Sequence, residues 1–180
     1  MNIFYKTLRI FLSHLTLIKY KIRYGKNFQF HFSDRVAPTI KIRIDNNGSI
    51  VLGDKVSLRD YVVLNSTGGI VEIEDHVFMN DFVCINARKN IRICNDTVIG
   101  QAVKFYDHDH DYKHNMQKDF ICSDVVIGSN TWIGSDVIIL RGTSIGDNCV
   151  IGAGALVNRK VASGMLYMNE RRPNIKMIEI

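Results

Sequence analysis

A run of alternating acidic and histidine residues at positions 107–111, reading DHDHD, is the part of the chain best suited to chemistry. His114 follows three residues later, so three of the six histidines lie within seven residues. In an extended segment, His108 and His110 point to one face and the aspartates to the other. A neutral imidazole is a good general base near pH 7. The run therefore predicts a site that takes a proton from an attacking group.

Two other interpretations of the run stay open. His108, His110 and His114 have a spacing found in metal sites, carboxylates are nearby, and His76 precedes them in the chain. Three converging imidazoles would hold Zn²⁺, although we expect a site without a metal. Alternatively, the run is a solvated polar loop with no chemical role, as many surface loops are.

The segment that must position these histidines is organised by a six-residue repeat. Fifteen large apolar anchors recur at this spacing, in five sets of three. A small or β-branched residue follows four positions after twelve of them, and Gly or Asn follows directly after ten. A period of six fits neither an amphipathic helix nor a simple strand, and it is typical of a hexapeptide β-helix. The anchors are Leu52, Leu58, Leu64, Ile73, Met79, Ile85, Ile93, Ile99, Phe105, Ile127, Ile133, Ile139, Ile145, Ile151 and Val157.

Interruptions of the repeat indicate how its coils close. The anchor spacing lengthens three times, by three, two and sixteen residues, each time after the third hexad of a set. If three hexads make one triangular coil, every insertion leaves from the same corner, and the longest carries the histidine run. We expect a mainly β fold, a left-handed parallel β-helix of about five coils. Gly or Asn beside each anchor is predicted to supply the left-handed backbone of the corners.

The N-terminal arm differs from the rest of the chain in charge. Residues 1–33 hold six lysines and arginines and no acid. A basic amphipathic helix can lie on an anionic membrane, here through residues 1–26. It can equally cap the first coil or pack on a neighbouring subunit. The apolar residues at helical spacing are Phe4, Leu8, Phe11, Leu12, Leu15 and Ile18.

These patterns divide the chain into three parts. Residues 1–39 form the basic arm, residues 40–162 the β-helix with an insertion loop at 107–122, and residues 163–180 a C-terminal tail. The four cysteines lack CxxC spacing, and neither a signal peptide nor a membrane-spanning apolar run is evident. We therefore expect a cytoplasmic protein without disulfides. We expect no nucleic-acid partner, because the basic residues lack the interleaved aromatics of a reader motif.

Two blocks near the C-terminus carry a family resemblance. Residues 126–135 read VIGSNTWIGS, and residues 143–157 read TSIGDNCVIGAGALV. From Leu52 onward the chain resembles the hexapeptide-repeat acyltransferases, in the branch of the maltose, galactoside and capsular-polysaccharide O-acetyltransferases. The resemblance implies acetyl-CoA as co-substrate, a hydroxyl as acceptor, and a homotrimer with sites between subunits.

The same resemblance implies roles for individual residues. The catalytic histidine falls on His110, with His108 as second choice, and an acceptor-side asparagine falls on Asn86. Coenzyme A contacts fall on Ser135 and Ala153, with Trp132 nearby. The basic residues Arg159 and Lys160, or Arg171 and Arg172, would pair with the phosphates of coenzyme A.

The sequence thus predicts a transferase that moves an acetyl group from acetyl-CoA to a sugar hydroxyl. We expect this reaction in capsular or lipopolysaccharide biosynthesis, at the inner face of the membrane if the arm binds lipid. The alternatives are an amino-sugar N-acetyltransferase, a metalloenzyme like the γ-class carbonic anhydrases, which share the repeat, and a scaffold without catalytic activity.

Overall fold

Three parallel β-sheets form the walls of a left-handed β-helix in the computed structural model. The structure describes residues 3–169, with Ile3, Phe4 and Lys6 described for the backbone only. Strands are numbered in chain order, after helix α1 at Ile3–Tyr24 and a 3₁₀ turn at Gly25–Asn27. The first wall contains β1 Phe28–Gln29, β4 Ser49–Leu52, β7 Ile70–Ile73, β10 Asn90–Ile93, β15 Val125–Ile127, β18 Ser144–Ile145 and β21 Lys160–Val161.

The other two walls follow the first in each coil. The second wall contains β2 Arg35–Val36, β5 Ser57–Leu58, β8 Phe78–Met79, β11 Val98–Ile99, β16 Trp132–Ile133, β19 Val150–Ile151 and β22 Leu166–Tyr167. The third wall contains β3 Lys41–Asp45, β6 Val63–Thr67, β9 Cys84–Ala87, β12 Lys104–Tyr106, β17 Ile138–Ile139 and β20 Leu156–Val157.

Every predicted anchor points into the interior and is buried. Anchors of successive coils stand in register, as Leu64, Ile85, Phe105 and Ile139 do along the third wall. Each wall strand is short, because the chain must turn after every hexad. The core is therefore a continuous apolar column, and the prediction of a hexapeptide β-helix is confirmed.

The predicted count of about five coils is slightly low, because the described residues form six complete coils and the start of a seventh. The additional first coil places Val36 and Ile42 in register with Leu58 and Leu64. Two of its hexads escaped the sequence pattern because the position four residues after the anchor is neither small nor β-branched. Asp34 fills one such position and is fully buried. Burial raises the pKa of Asp34, although its carboxylate accepts hydrogen bonds from the backbone N–H groups of His31 and Val56.

The predicted role of the residue beside each anchor is also wrong. Left-handed backbone occurs at the third residue after the anchor, where Tyr61 has φ 60° and Phe82 has φ 63°. Glycine beside the anchor instead allows close approach of the next coil. A Cβ on Gly134 would lie 2.7 Å from the backbone nitrogen of Ala153, and one on Gly128 would lie 2.6 Å from that of Asp147. Glycine at these positions is therefore set by coil spacing.

The three insertions in the repeat all fall at one corner, between the third wall and the first, as predicted from the interrupted repeat. The longest lies between β12 and β15. It contains a two-stranded antiparallel hairpin of β13 His108–His110 and β14 Phe120–Cys122, which we call the hairpin arm. The arm stands outside the three walls.

Helix α1 caps the open end of the first coil. Leu17 of the helix is fully buried against the coil. The Ser13 hydroxyl accepts a hydrogen bond from the backbone N–H of Val36, and the Tyr20 hydroxyl donates to the carbonyl of Ile40. These contacts satisfy polar groups that an uncovered coil would leave exposed. Within residues 3–169, no helix combines the length and apolarity needed to cross a bilayer.

Candidate functional site

The hairpin arm holds the histidine run in the extended form considered from the sequence. His108 pairs with Cys122 and His110 with Phe120 across the two strands. Both imidazoles face the Phe120 ring, with centroids 5.5 and 4.6 Å away. Asp109 lies on the other face, where it accepts a hydrogen bond from the Arg141 guanidinium. The alternation of the run therefore places the two histidines on the same side of the arm.

Asp107 anchors the base of the arm in the wall. Its side chain is completely buried, and its carboxylate accepts hydrogen bonds from the backbone N–H groups of Arg88 at 2.9 Å and Lys89 at 2.7 Å. The same carboxylate lies 2.9 Å from Nδ1 of His108. Burial raises the pKa of Asp107, but the hydrogen bonds from His108, Arg88 and Lys89 outweigh it and hold that pKa below its ordinary value. The carboxylate is therefore ionised at neutral pH.

This contact fixes how His108 can act. A charged carboxylate is an acceptor only, so the His108 Nδ1 carries the proton and donates it to Asp107. The nitrogen left for a bound molecule is Nε2. The His108 side chain is 17% exposed and borders a cavity of about 200 Å³. An imidazole with Nδ1 held by a carboxylate and Nε2 free is arranged to accept a proton from a molecule in that cavity.

The remaining lining of the cavity is polar. The Asn65 side-chain amide donates to the Asn86 oxygen at 2.8 Å, and Asn65 stands in register with Arg43 on one side and Asn86 on the other. The buried Oδ1 of Asn65 has no hydrogen-bond partner among the described residues. The full lining is Arg43, Asp45, Asn65, Thr67, Asn86, Ala87, Arg88 and His108. Asn86 and His108, both predicted from the sequence, therefore meet at one cavity.

The rest of this lining was not predicted, although the sequence contains a pattern that indicates it. Arg43, Asn65 and Asn86 each follow directly after a third-wall anchor. Residues at one phase of the repeat stack on one face of a wall. Three polar residues at that phase, in consecutive coils and next to the corner with the insertions, indicate a polar surface there.

His110 and His114 lie farther out on the arm. The His110 side chain is exposed, and its Nδ1 is 2.6 Å from the carbonyl of Met116. His114 Nδ1 lies 2.6 Å from the Asp111 carboxylate. Hydrogen bonding to Asp111 raises the pKa of His114 and lowers that of Asp111. The three imidazoles thus have three separate partners, and residues 3–169 contain no group of three or more His, Cys, Asp or Glu side chains able to hold a metal ion.

The residues implied for coenzyme A lie on a different corner. Ser135 and Ala153 follow second-wall anchors and stack in neighbouring coils, where Gly154 donates its N–H to the carbonyl of Ser135. Trp132 is exposed on the outer face of the second wall, between Val98 and Val150. None of these residues lines the cavity beside His108. One chain therefore does not bring its two sets of predicted site residues together.

The implied phosphate ligands that lie within the described residues, Arg159 and Lys160, are separated in the same way. Arg159, in the turn between β20 and β21, and Lys160, the first residue of β21, are exposed. They lie on the corner that carries the insertions but two coils beyond β12. Arg171 and Arg172 lie outside the described residues. Arg159 and Lys160 are therefore not placed beside Ser135 and Ala153.

Comparison with known sequences identifies the hexapeptide repeat in the coils after the hairpin arm. Residues 124–159 match the model of the bacterial transferase hexapeptide (six repeats). A relative from Escherichia coli (strain K12), named "Putative lipopolysaccharide biosynthesis O-acetyl transferase WbbJ", is 34% identical over 103 residues. The match covers 51% of this chain and 53% of the relative, so it spans about half the length of each protein.

Comparison with solved structures finds the same fold. AntD, an N-acyltransferase from Bacillus cereus, superposes with a TM-score of 0.70 at 18% identity, covering 91% of this chain and 89% of its own. A hexapeptide-repeat containing acetyltransferase from Vibrio cholerae O1 biovar eltor gives a TM-score of 0.58 at 21% identity, covering 91% and 83%. The resemblance drawn from the sequence is confirmed, and this chain is a hexapeptide-repeat protein with the fold of the hexapeptide-repeat acyltransferases.

Proposed function

We propose that this protein is an acetyl-CoA-dependent O-acetyltransferase that acts on a sugar hydroxyl, with His108 as the general base. The observation that carries the proposal is the Asp107–His108 pair at the edge of a polar cavity. His110 was the first choice from the sequence. We assign that role to His108, because its Nδ1 is held by a buried carboxylate, whereas His110 is exposed and hydrogen-bonded to a main-chain carbonyl.

The reaction needs one proton acceptor that later returns its proton. Nε2 of His108 removes the proton of the sugar hydroxyl as the oxygen attacks the thioester carbonyl. The imidazolium that forms is stabilised by the ionised Asp107. Collapse of the tetrahedral intermediate breaks the carbon–sulfur bond, and the imidazolium gives its proton to the departing thiolate. The products are an acetyl ester and free coenzyme A, and His108 is neutral again.

The polar lining suits a sugar acceptor. Asn65 and Asn86 present amide groups, and the Asn65 oxygen is an acceptor that the protein leaves unused. Buried polar atoms are normally hydrogen-bonded, so a ligand hydroxyl that donates to Asn65 would satisfy it. We therefore propose that Asn65 binds the acceptor together with Asn86, the acceptor-side residue predicted from the sequence.

Three similar proteins support the proposed donor and chemistry. The Vibrio cholerae structure holds acetyl coenzyme A, and the AntD structure holds coenzyme A with dTDP-4-amino-4,6-dideoxyglucose. The Escherichia coli relative is named for O-acetylation in lipopolysaccharide biosynthesis. By analogy, we propose acetyl-CoA as donor and a glycan precursor, made on the cytoplasmic side of the membrane, as acceptor.

A homotrimer would unite the separated residues. His108 lies at the corner after the third wall, whereas Ser135 and Ala153 lie at the corner after the second. A cyclic assembly can place one corner of each subunit against a different corner of the next. We propose that the donor site of one subunit faces the cavity of its neighbour.

Mixing inactive variants tests this arrangement. His108→Ala removes the base, and Ala153→Trp fills the proposed donor site. Neither variant alone should transfer acetyl groups. If they are unfolded together and refolded as mixed trimers, about one quarter of the interfaces carry both intact halves, so activity should return to about that fraction. A mixture that stays inactive, although mass measurement shows mixed trimers, would show that each site belongs to one chain.

Product chemistry tests the acceptor class. The protein is incubated with acetyl-CoA and a panel of sugars, sugar nucleotides and amino sugars, and thiol release is followed. An acetyl ester is cleaved by alkaline hydroxylamine, whereas an amide resists it. Hydroxylamine-labile product supports O-acetylation, and resistant product assigns N-acetylation. Acetyl-CoA binding without turnover on any acceptor would favour a scaffold, and stoichiometric zinc in the purified protein would favour the metalloenzyme.

A further inference from the structure

Helix α1 has two apolar faces, and the first coil covers only one of them. Ser13, Leu17 and Tyr20 face the coil and are buried. The residues predicted to form its apolar face point the other way, as far as their side chains are described. Within the described side chains these exposed residues are Leu8, Phe11, Leu12, Leu15, Ile18 and, one turn further, Ile22. Spacings of three and four residues place them on one side of the helix, about half a turn from the buried face.

The exposed face continues beside the helix. A groove of about 550 Å³ lies between the end of α1 and the first strand, and its lining includes Ile18, Ile22, Phe30 and Phe32. Phe32 is largely exposed. Together with the helix face, this groove forms one apolar surface, which we call the α1 surface. A contiguous exposed apolar surface of this kind marks an interaction site.

Basic side chains border the α1 surface. Lys19 and Arg23 lie beside the apolar face and are exposed, and Lys21 and Lys26 line the groove. Residues 1–33 contain no aspartate or glutamate. The surface therefore combines apolar side chains with a single sign of charge.

We propose that the α1 surface docks on an anionic phospholipid bilayer. A helix whose apolar face enters the headgroup boundary, with lysine and arginine at its edge, is held by apolar burial and by attraction to acidic lipids. A second copy of the same surface is a poorer occupant, because it would bring two uncompensated basic segments together. The capped first coil would then lie at the lipid surface, with the coil axis leading away from it.

Vesicle flotation of the full chain tests the proposal. The probes are phosphatidylcholine vesicles, alone or with about one third phosphatidylglycerol. Wild-type protein should float with the acidic vesicles and stay behind with the neutral ones. Phe11→Ser combined with Leu15→Ser should lower binding by about tenfold or more, because both side chains leave the lipid. Lys19→Gln combined with Arg23→Gln should weaken binding by about tenfold.

Matched controls separate the α1 surface from general stickiness. Phe82 is as exposed as Phe11, at 57%, but lies on a distant corner, so Phe82→Ser should bind like wild type. Lys113→Gln with Lys118→Gln removes the same charge from the hairpin arm and should also leave binding unchanged. Thermal unfolding confirms that each variant is folded.

Three results would overturn the proposal. They are absence of wild-type binding to acidic vesicles, equal loss in the control variants, and unchanged binding after Phe11→Ser with Leu15→Ser. If that double variant leaves binding unchanged but reduces the mass of the assembly in solution, the α1 surface is an interface between copies. Acetyl transfer by the wild-type protein to a water-soluble acceptor is measured in parallel without vesicles. Absence of that transfer would count against the proposed function and not against membrane docking.

Discussion

The walls of the β-helix and the hairpin arm differ in what holds them in place. Wall anchors such as Phe105 are buried in a column that repeats from coil to coil. Most of the arm is exposed, and its tip is held by contacts such as that between His114 and Asp111. Asp107 lies where the two meet, at the base of the arm but buried in the wall. His108 is therefore the arm histidine that lies at the junction, where the buried Asp107 carboxylate holds its imidazole.

Removing a wall anchor should have the largest effect on stability. Phe105→Ala empties a fully buried site, and we expect a loss of about 3–5 kcal/mol in the free energy of unfolding. The matched change in the arm, Ile121→Ala, affects a partly exposed side chain and should cost less than about 1 kcal/mol. Urea unfolding at neutral pH measures both values. Similar losses would mean that arm and wall unfold as one unit.

Changing the junction should affect both stability and rate. Asp107→Asn leaves backbone N–H groups of Arg88 and Lys89 with a weaker acceptor, at a cost of about 1–3 kcal/mol. Acceptor-dependent turnover should fall by about tenfold or more, because an amide no longer fixes the proton on Nδ1 of His108. Thiol release and urea unfolding report the two effects. An effect on unfolding with full activity would make Asp107 structural only.

Lowering the pH should remove the contribution of Asp107 to the stability of the folded protein. The pKa of Asp107 is below its ordinary value in the folded protein, so its stabilising contribution is present above the unfolded-state pKa of about 3.9. That contribution is lost as the pH falls through the folded-state pKa. Wild type should therefore lose more stability than Asp107→Asn between about pH 5 and pH 2. Parallel losses in melting temperature for the two proteins would contradict this.

The close spacing of coils in the wall can be tested by comparing two glycine substitutions. Gly134→Ala places a Cβ 2.7 Å from the backbone nitrogen of Ala153, which cannot move without shifting a coil. We expect a loss of about 1–3 kcal/mol in the free energy of unfolding. Gly25→Ala is a useful contrast, because its Cβ meets open space and only its left-handed φ of 56° is strained. A smaller loss for Gly134→Ala than for Gly25→Ala would show that the coils are not closely spaced there.

The arm tip should show the smallest effect. The hydrogen bond with Asp111 raises the pKa of His114, whose side chain is largely exposed. Asp111→Asn should move the pKa of His114 back toward its ordinary value without a measurable change in melting temperature. An NMR titration of the imidazole protons follows the first quantity. An unchanged titration would show that the contact does not form in solution.

Much of the wall could be predicted from the sequence, because a periodic pattern reports which residues point inward. The burial of Leu64, Ile85 and Phe105 and the common corner of the insertions follow from that period alone. The first coil could not be found in this way, since Asp34 stands where the pattern has a small residue. Its burial depends on acceptor contacts to His31 and Val56 that no local pattern shows.

The candidate site was predicted less completely. The run at 107–111 located the arm, but the partners that distinguish His108 from His110 come from other elements. Asp107 is held by Arg88 and Lys89, one coil below, and this contact depends on register between coils. The separation of Ser135 from the cavity was not predicted either, because it depends on the order in which the chain forms the three walls.

Acceptor-dependent thiol release from acetyl-CoA, measured for His108→Ala and His110→Ala side by side, tests the central claim most directly. His76→Ala, which changes an exposed histidine on another corner, serves as the control. Loss of a general base costs about 10²–10⁴-fold in turnover, and we expect that loss for His108→Ala only, with His110→Ala and the control close to wild type. Full turnover in His108→Ala, or a comparable loss in His110→Ala with His108→Ala unaffected, would contradict the assignment of the base to the junction of arm and wall.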